Sequence, residues 1–309
     1  MTSKVFIDGE AGTTGLQIAE RLDTRTDITL IRLGDAERKD PAARQAALQE
    51  ADIAILCLPD AASKEAHQMV QGGTTRLLDA STAFRIDPHW VYGFAEMTKG
   101  QDARIAGAQF VANPGCYPTG AIALLRPLRE AGLLAADVPV SINAVSGYTG
   151  GGKALIAEYT AGTAPGGFVY GTGQTHKHLP EITQYGRLAQ SPIFVPSVGN
   201  FAQGMIVQIP LHLGTLAGQP SMADLHAALA AHYDGARFVD VLPLDAEQGR
   251  IDAEVMNDTN GLRLQVCGNA DKGQAVLVAV LDNLGKGASG AAVQNLNLMM
   301  GVDPATGLV

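Results

Sequence analysis

The stretch that most constrains the fold is "KVFIDGEAGTTGLQIAERL", Lys4 to Leu22. Val5-Phe6-Ile7 is a short apolar strand, a turn with three glycines follows, and Leu16, Ile18, Ala19 and Leu22 mark a helix. The pattern then repeats. "DITLIRLGD" is a second strand, "ADIAILCLPDAASKEAHQMV" a strand and a helix, "TRLLDAST" another strand, and "AQFVANPG" one more. Strands alternating with helices predict an α/β chain with a Rossmann-type, doubly wound parallel sheet, whose ligands lie outside the strand C-terminal ends.

The glycines are Gly9, Gly12 and Gly15, spaced G-x-x-G-x-x-G, one residue longer at first than the common dinucleotide fingerprint. Glycine there lets the backbone approach a pyrophosphate, which then sits on the helix N-terminus. The same spacing also suits a tight turn that binds nothing; the strands and helices around it favour a nucleotide. The second strand ends in Arg32, a residue suited to a 2′-phosphate, while Asp35 three residues on keeps NAD open. The reading is NADP, with Gly9, Gly12, Thr13, Thr14, Gly15, Arg32 and Ser81 as the candidate cofactor residues. Ser81 belongs to "DASTAFR", which follows a strand and falls at the same rim.

"ANPGCYPTGAIALL" comes after the last of these strands. A Pro-Gly turn delivers Cys116 to the start of a helix, where Pro118 is tolerated because the first turn needs no N–H partners. The positive end of the helix dipole and the unpaired amides stabilise a thiolate there, and a thiolate is a nucleophile. Cys57 and Cys267 lie in apolar, strand-like runs and read as ordinary packing. An odd count of three cysteines argues against a disulfide framework.

Beyond Cys116 the texture changes. "PVSINAVSGYTGGGK" is a strand running into a glycine-rich loop with Ser146, Gly147 and Lys153, and "FVYGTGQTHKHLPEI" carries His176, His178 and Glu181. Two histidines at i, i+2 without further ligands make a poor metal site, so no metal is expected. An imidazole, with an ordinary pKa of about 6.5, suits general acid–base work beside a thiol. His178 is the better candidate base. It lies three residues before Glu181, a spacing that brings them together if a helix starts at Pro180, and a nearby carboxylate fixes an imidazole's tautomer. The remaining runs, "PIFVPSVGNFAQGMIVQIPLHL", "ARFVDVLPL", "GLRLQVCGN" and "QAVLVAVLDN", are strand-rich and predict a second α+β domain with a mixed or antiparallel sheet. The tail "GASGAAVQNLNLMMGVD" is helical in period, with Ala292, Leu296 and Met299 or Met300 on one side.

A chain of 309 residues accommodates two such domains. Its net charge of −9 and lack of basic runs exclude nonspecific nucleic-acid binding. No apolar run reaches the roughly 18 residues of a membrane span, and the N-terminus enters a strand without a signal-like segment, so the expected location is the cytoplasm.

"NPGCYPTG", "GYTGGGK", "HKHLPEI" and "KGASGAAVQNLNLMMG" occur in an order that resembles the N-acetyl-gamma-glutamyl-phosphate reductase family, and the "GEAGTTG" turn and short length resemble its type 2 branch. The resemblance implies an NADPH-dependent reduction of an acyl phosphate to N-acetyl-glutamate 5-semialdehyde, with release of phosphate, in arginine biosynthesis. It implies Cys116 as nucleophile, His178 as acid–base group, and Arg85 in "STAFR" as a binder of phosphate or substrate carboxylate; Thr82-Ala83 depart from the family's usual Ala-Asp before Phe84. Lys153 joins Arg85 on electrostatic grounds, and Ser146, Gly147, His176 and Glu181 complete the candidate substrate set. The resemblance further implies that the C-terminal helix returns to the nucleotide domain and that the protein is a homodimer or tetramer. The expected division is a cofactor domain of residues 1–115 and 287–309 and a catalytic domain of 116–286. Aspartate-semialdehyde dehydrogenases share this plan and rank second. A cysteine hydrolase, needing no nucleotide, and an NADP-binding sensor without turnover are the alternatives from other classes.

Overall fold

The computed structural model describes residues 2–246 and 249–309. In chain order the elements are β1 (Ser3–Asp8), α1 (Thr13–Leu22), β2 (Ile28–Ile31), α2 (Pro41–Glu50), β3 (Ile53–Leu56), α3 (Asp60–Met69), β4 (Arg76–Asp79), β5 (Val91–Tyr92), α4 (Gln101–Gly107) and β6 (Phe110–Ala112). There follow α5 (Cys116–Glu130), β7 (Ser141–Gly147), α6 (Gly152–Thr160), β8 (Gly167–Val169), α7 (Leu179–Tyr185), β9 (Ile193–Gly199), β10 (Met205–His212), α8 (Met222–His232), β11 (Val239–Val241), β12 (Leu262–Asn269), β13 (Gln274–Leu281) and α9 (Gly290–Met300). The chain divides into two compact units. The first is Met1–Ala95, Gly100–Pro114 and Ala288–Val309; the second is Glu96–Lys99 and Gly115–Gly287.

The described residues of the first unit form a six-stranded sheet in the order β2-β1-β3-β4-β6-β5. Every pairing in it is parallel. Side chains alternate across a strand, so β1 sends Val5 and Ile7 into one core with Ile18, Leu22 and Val293, and Phe6 into another with Leu48, Leu77 and Trp90. Both faces are covered, the usual condition of a parallel sheet. β2 and β3 lie on opposite sides of β1, which sets the switch point, where such folds take ligands, beside the turn after β1. Leu16 lies in α1, as its sequence context indicates, and faces outward at 44% exposure. The tail helix α9 is buried all round, from Gly290 through Met299, where one apolar side was expected.

Buried polar side chains explain why α9 needs no solvent face. Asn295 donates to the Gly93 carbonyl (2.8 Å) and to Asn113 Oδ1 (3.0 Å), and Asn297 donates to the Pro304 and Thr306 carbonyls. Backbone carbonyls and the Asn113 side chain thus accept the N–H groups that would otherwise have turned to water.

The second unit carries a seven-stranded sheet, order β11-β12-β13-β10-β7-β9-β8 among the described residues. It is mixed: β7 pairs β9 and β11 pairs β12 in parallel, and the other pairings are antiparallel. α5 is its central helix, buried from Tyr117 through Leu128. Gly120 lets it lie close on β10, since a Cβ there would stand 2.9 Å from Val207 Cγ2. Pro127 sits inside this helix and cannot donate to the carbonyl four residues back. That carbonyl, Ala123, accepts instead from the Tyr233 hydroxyl at 2.9 Å.

Candidate active site

The candidate site is built at the start of α5. Gly115 is its N-cap and Cys116 its first residue, with no acidic side chain in the first turn to compete with a thiolate. Cys116 is partly exposed while the residues from Val111 to Gly115 and from Tyr117 to Leu128 are buried, so the thiol is the accessible point of a closed neighbourhood. Thr119 closes the turn by donating both its amide and its hydroxyl to the Gly115 carbonyl, at 3.0 and 2.9 Å. From the other side, Gly287 presses its backbone on the cysteine: a Cβ there would come within 2.8 Å of Cys116 Cβ. Gly287 lies in a wide helical turn, Gly285–Ser289, tied down by its amide on the Asp282 carbonyl at 2.9 Å and by Lys286, whose buried ammonium pairs with Glu96 at 2.8 Å.

α7 supplies the next groups. It starts at Leu179, with His178 as N-cap and Pro180 at its second position, one residue earlier than the sequence suggests. His178 is buried at 6% exposure and Glu181 at 1%. The Glu181 carboxylate accepts the Gly115 amide at 3.2 Å and so holds the backbone ahead of the cysteine. The His178 ring lies 5.9 Å from the Tyr117 ring and 4.7 Å from the His176 ring, centroid to centroid. The fold separates the two histidines further than their spacing to Glu181 does. His176 Nδ1 accepts the His178 backbone amide at 3.2 Å, which makes it a neutral acceptor that fixes the chain at His178. Burial, with the charge of Lys177 behind it, holds the His176 imidazole below its ordinary pKa.

Tyr117 and Tyr170 were not singled out by sequence. Tyr117 donates to the Ser197 carbonyl at 3.1 Å and Tyr170 donates to the Tyr117 hydroxyl at 3.3 Å. Burial pushes the Tyr117 phenol far above its usual range and that of Tyr170 up to about 12, so both remain protonated donors. The only signal for them was the aromatic following Cys116 and the one in "FVYG". Ser146, next to the end of β7, is buried beside the Tyr117 phenol, with its hydroxyl on the Gly147 carbonyl at 3.0 Å. Gly147 permits a close backbone approach, since a Cβ there would stand 2.6 Å from the Ala202 carbonyl oxygen. Lys153 lies exposed at the start of α6. Cys116, Tyr117, His176, His178 and Glu181 therefore come together, Ser146 joins through Tyr117, and Lys153 stands on the surface of its helix.

The first unit holds the other candidates. Gly9 follows β1 at φ +91, and a Cβ there would sit 2.3 Å from the Cys57 carbonyl oxygen; only glycine fits. The turn leads to α1, with Gly12 as N-cap, Thr13 and Thr14 partly exposed in its first turn, and no acidic residue there. A cavity of about 270 Å³ opens beside this turn, lined by Gly9, Leu33, Leu58 and Ala62 and by the charged side chains of Asp8, Glu10, Arg38 and Arg44. A helix N-terminus beside a partly apolar cavity that carries two arginines fits a nucleotide. Arg32 follows β2, bound to Asp23 and 3.3 Å from Glu10. Ser81 donates to the buried Asp79 carboxylate at 2.7 Å. Arg85 is 7% exposed and braces two strand ends, Nε on the Asn113 carbonyl at 3.0 Å and Nη2 on that of Ala80 at 3.3 Å. The remaining cysteines match their packing roles. Burial, then the carboxylates of Asp79 and Asp8, push the Cys57 thiol up to about 12, and burial raises that of Cys267. Among the described residues no cluster of ligating side chains could hold a metal ion.

Known proteins resemble this chain over most of its length. A semialdehyde dehydrogenase NAD binding domain model matches residues 4–104, and a semialdehyde dehydrogenase dimerisation domain model matches residues 116–283. An N-acetyl-gamma-glutamyl-phosphate reductase from Brucella suis is 59% identical, covering 97% of this chain and 100% of the relative. The chain belongs to the N-acetyl-gamma-glutamyl-phosphate reductase family. The reductase of this name from Brucella abortus is 58% identical over the same shares. Solved structures extend the fold beyond this reductase family. Aspartate semialdehyde dehydrogenase II from Vibrio cholerae superposes with a TM-score of 0.73 at 14% identity, covering 97% of this chain and 98% of that one. The enzyme from Francisella tularensis gives 0.72 at 14% identity over 97% and 100%. Among the described residues no helix is long and apolar enough to cross a membrane.

Proposed function

We propose that this chain catalyses the NADPH-dependent reductive dephosphorylation of N-acetyl-glutamyl 5-phosphate to N-acetyl-glutamate 5-semialdehyde, the reductive step of arginine biosynthesis. One observation carries the reading: a cysteine opens a buried helix, with histidines and a carboxylate at its start, in a chain that aligns end to end with reductases of that name. The first unit takes the cofactor and the second performs the chemistry. The 2′-phosphate form is favoured because the rim beyond β2 is lined by arginines.

The Cys116 thiolate, favoured by the α5 dipole, attacks the acyl carbon; the carbon–oxygen bond to phosphate breaks and a thioester remains. The hydride that reduces this thioester is the chemistry a bound nicotinamide contributes. His178 places its protonated imidazole against the oxyanion of the thiohemiacetal formed on Cys116. As the carbon–sulfur bond breaks, the aldehyde leaves, the thiolate is restored and the proton is back on His178. Glu181 holds the Gly115 amide and Gly287 walls the cysteine, so the sulfur keeps one setting through both half-reactions. His176 positions His178 through its backbone. Ser146, Gly147, Lys153 and Arg85 are the proposed groups for the substrate's anionic ends. The match to a dimerisation domain supports a homo-oligomer, dimer or tetramer, and the proposed location is the cytoplasm.

The test is phosphate-dependent reduction of NADP with N-acetyl-glutamate 5-semialdehyde, compared with aspartate semialdehyde. Turnover with the first alone supports the reading. Preference for the second transfers the chain's activity to the neighbouring dehydrogenases, and turnover without phosphate removes the acyl phosphate step.

A further inference from the structure

Glu10 is out of place in a turn meant for phosphates. It follows Gly9 directly, its side chain is only 15% exposed, and its carboxylate faces the arginines beyond β2: Arg32 Nη1 at 3.3 Å and Arg38 Nη2 at 4.0 Å. These two cations are held differently. Arg32 is engaged at both ends, by Asp23 and by Glu10, and does not line the cavity beside Gly9. Arg38 does line it. Its Nε donates to the Leu33 carbonyl at 3.1 Å, which fixes the guanidinium plane. Its other ion pair is with Asp35, 3.2 Å away and almost fully exposed, a partner that water screens heavily. The remaining charges on the cavity cancel, because Arg44 pairs with Asp8 at 2.8 Å.

We propose that Arg38 is the principal reader of the cofactor's 2′-phosphate, that Arg32 assists, and that Glu10 is the internal anion whose place on these arginines the phosphate takes. This rests on the cofactor reading above. A guanidinium anchored through Nε keeps two η nitrogens for a phosphate in a fixed plane, which is the geometry that favours bidentate recognition. The anchor also means that little side-chain freedom is lost on binding. A dianionic phosphate competes well against a single carboxylate for the same two cations. A ribose without the phosphate offers nothing to displace Glu10, and the ion pairs persist. Specificity then arises from exchange of one anion for another.

Binding of 2′,5′-ADP and of 5′-ADP to the full chain, by calorimetry, tests this, with NADPH and NADH fluorescence in parallel. Arg38→Ala is expected to weaken 2′,5′-ADP and NADPH by about 10- to 100-fold, the range of a lost charged hydrogen bond, and 5′-ADP and NADH by less than about twofold. Arg32→Ala is expected to give a smaller loss with the same selectivity. Glu10→Gln is expected to tighten 2′,5′-ADP by about two- to fivefold, the size of a partly exposed charge interaction, and to leave 5′-ADP alone. Equal losses of both ligands in Arg38→Ala overturn the assignment, as does a larger selective loss in Arg32→Ala. Unchanged 2′,5′-ADP binding in Glu10→Gln overturns the exchange. A native chain that binds 5′-ADP as tightly as 2′,5′-ADP shows instead that the NADP reading itself has failed.

Discussion

Two helices in this chain begin in the same way and end up suited to different tasks. α1 and α5 both have a glycine N-cap that makes no side-chain bond, and neither has an acidic residue in its first turn. Both therefore place the positive end of a helix dipole at a glycine turn. The space in front of them differs. At α1, Gly12, Thr13 and Thr14 are partly exposed beside an open cavity. At α5 the Gly115 amide is taken by Glu181, Gly287 stands against Cys116, and the neighbouring residues are buried. An open terminus suits a large external anion. A closed one suits an ionised group belonging to the chain. The backbone end is general, and its surroundings determine which anion it serves.

The sharpest way to break this contrast is Cys116→Ser, which removes the internal anion and leaves the open end intact. Turnover is expected to fall on the order of 10³-fold or more, with NADPH affinity within about threefold of native. Retention of a tenth of the rate would show that no thioester forms. Next is the pair of histidines. His178→Asn is expected to lower kcat by about 10²–10⁴-fold and erase one ionisation from the pH profile. His176→Asn is expected to act mainly on KM, because its ring is already neutral and bonds backbone. Loss of the ionisation in the His176 variant alone would exchange the two roles.

A methyl group tests how closed the second terminus is. Gly287→Ala places a Cβ 2.8 Å from that of Cys116, and overpacking of this kind costs about 1–3 kcal/mol. Slower alkylation of Cys116 by iodoacetamide, with an undisturbed cofactor affinity, is the expected result; native alkylation would mean the wall yields. The open terminus responds to charge. Thr13→Glu is expected to stabilise the ligand-free protein by about 0.3–1 kcal/mol while weakening NADPH. If affinity and stability rise together, the pyrophosphate does not sit on α1.

The smallest effect concerns the Cys57 thiol. Its pKa rises from the ordinary 9.0 to about 12 on folding. The unfolded chain thus loses this proton first, and the stability Cys57 contributes is full below pH 9 and declines as pH rises towards 12. Denaturation midpoints between pH 9 and 12 should fall less steeply in Cys57→Ser. Parallel slopes would place the thiol in contact with water.

Much of the fold was legible from local pattern. The apolar run Val5-Phe6-Ile7, the glycines after it and the repeated strand–helix alternation point to a parallel sheet because a strand's period is two and a helix's is 3.6. The helix start at Cys116 was legible for the same reason: Pro-Gly ahead of an Ala/Leu run can hardly be anything else. Patterns failed where burial comes from several directions at once. The tail helix reads as one-sided from Ala292, Leu296 and Met299, yet Asn295 and Asn297 are buried too, because carbonyls outside the helix accept their amide N–H groups.

Sequence by itself therefore determined the elements, the order of the parallel units and the residue types available for chemistry, since these rest on interactions between near neighbours. Only the tertiary structure decided how the site residues are employed. It gave Glu181 to the Gly115 amide, made His176 an acceptor for His178, brought Gly287 against Cys116 from 171 residues away, and set Glu10 on the arginines beyond β2. Hydrogen bonds and steric contacts act over a few ångströms of space, and separation along the chain carries no record of them.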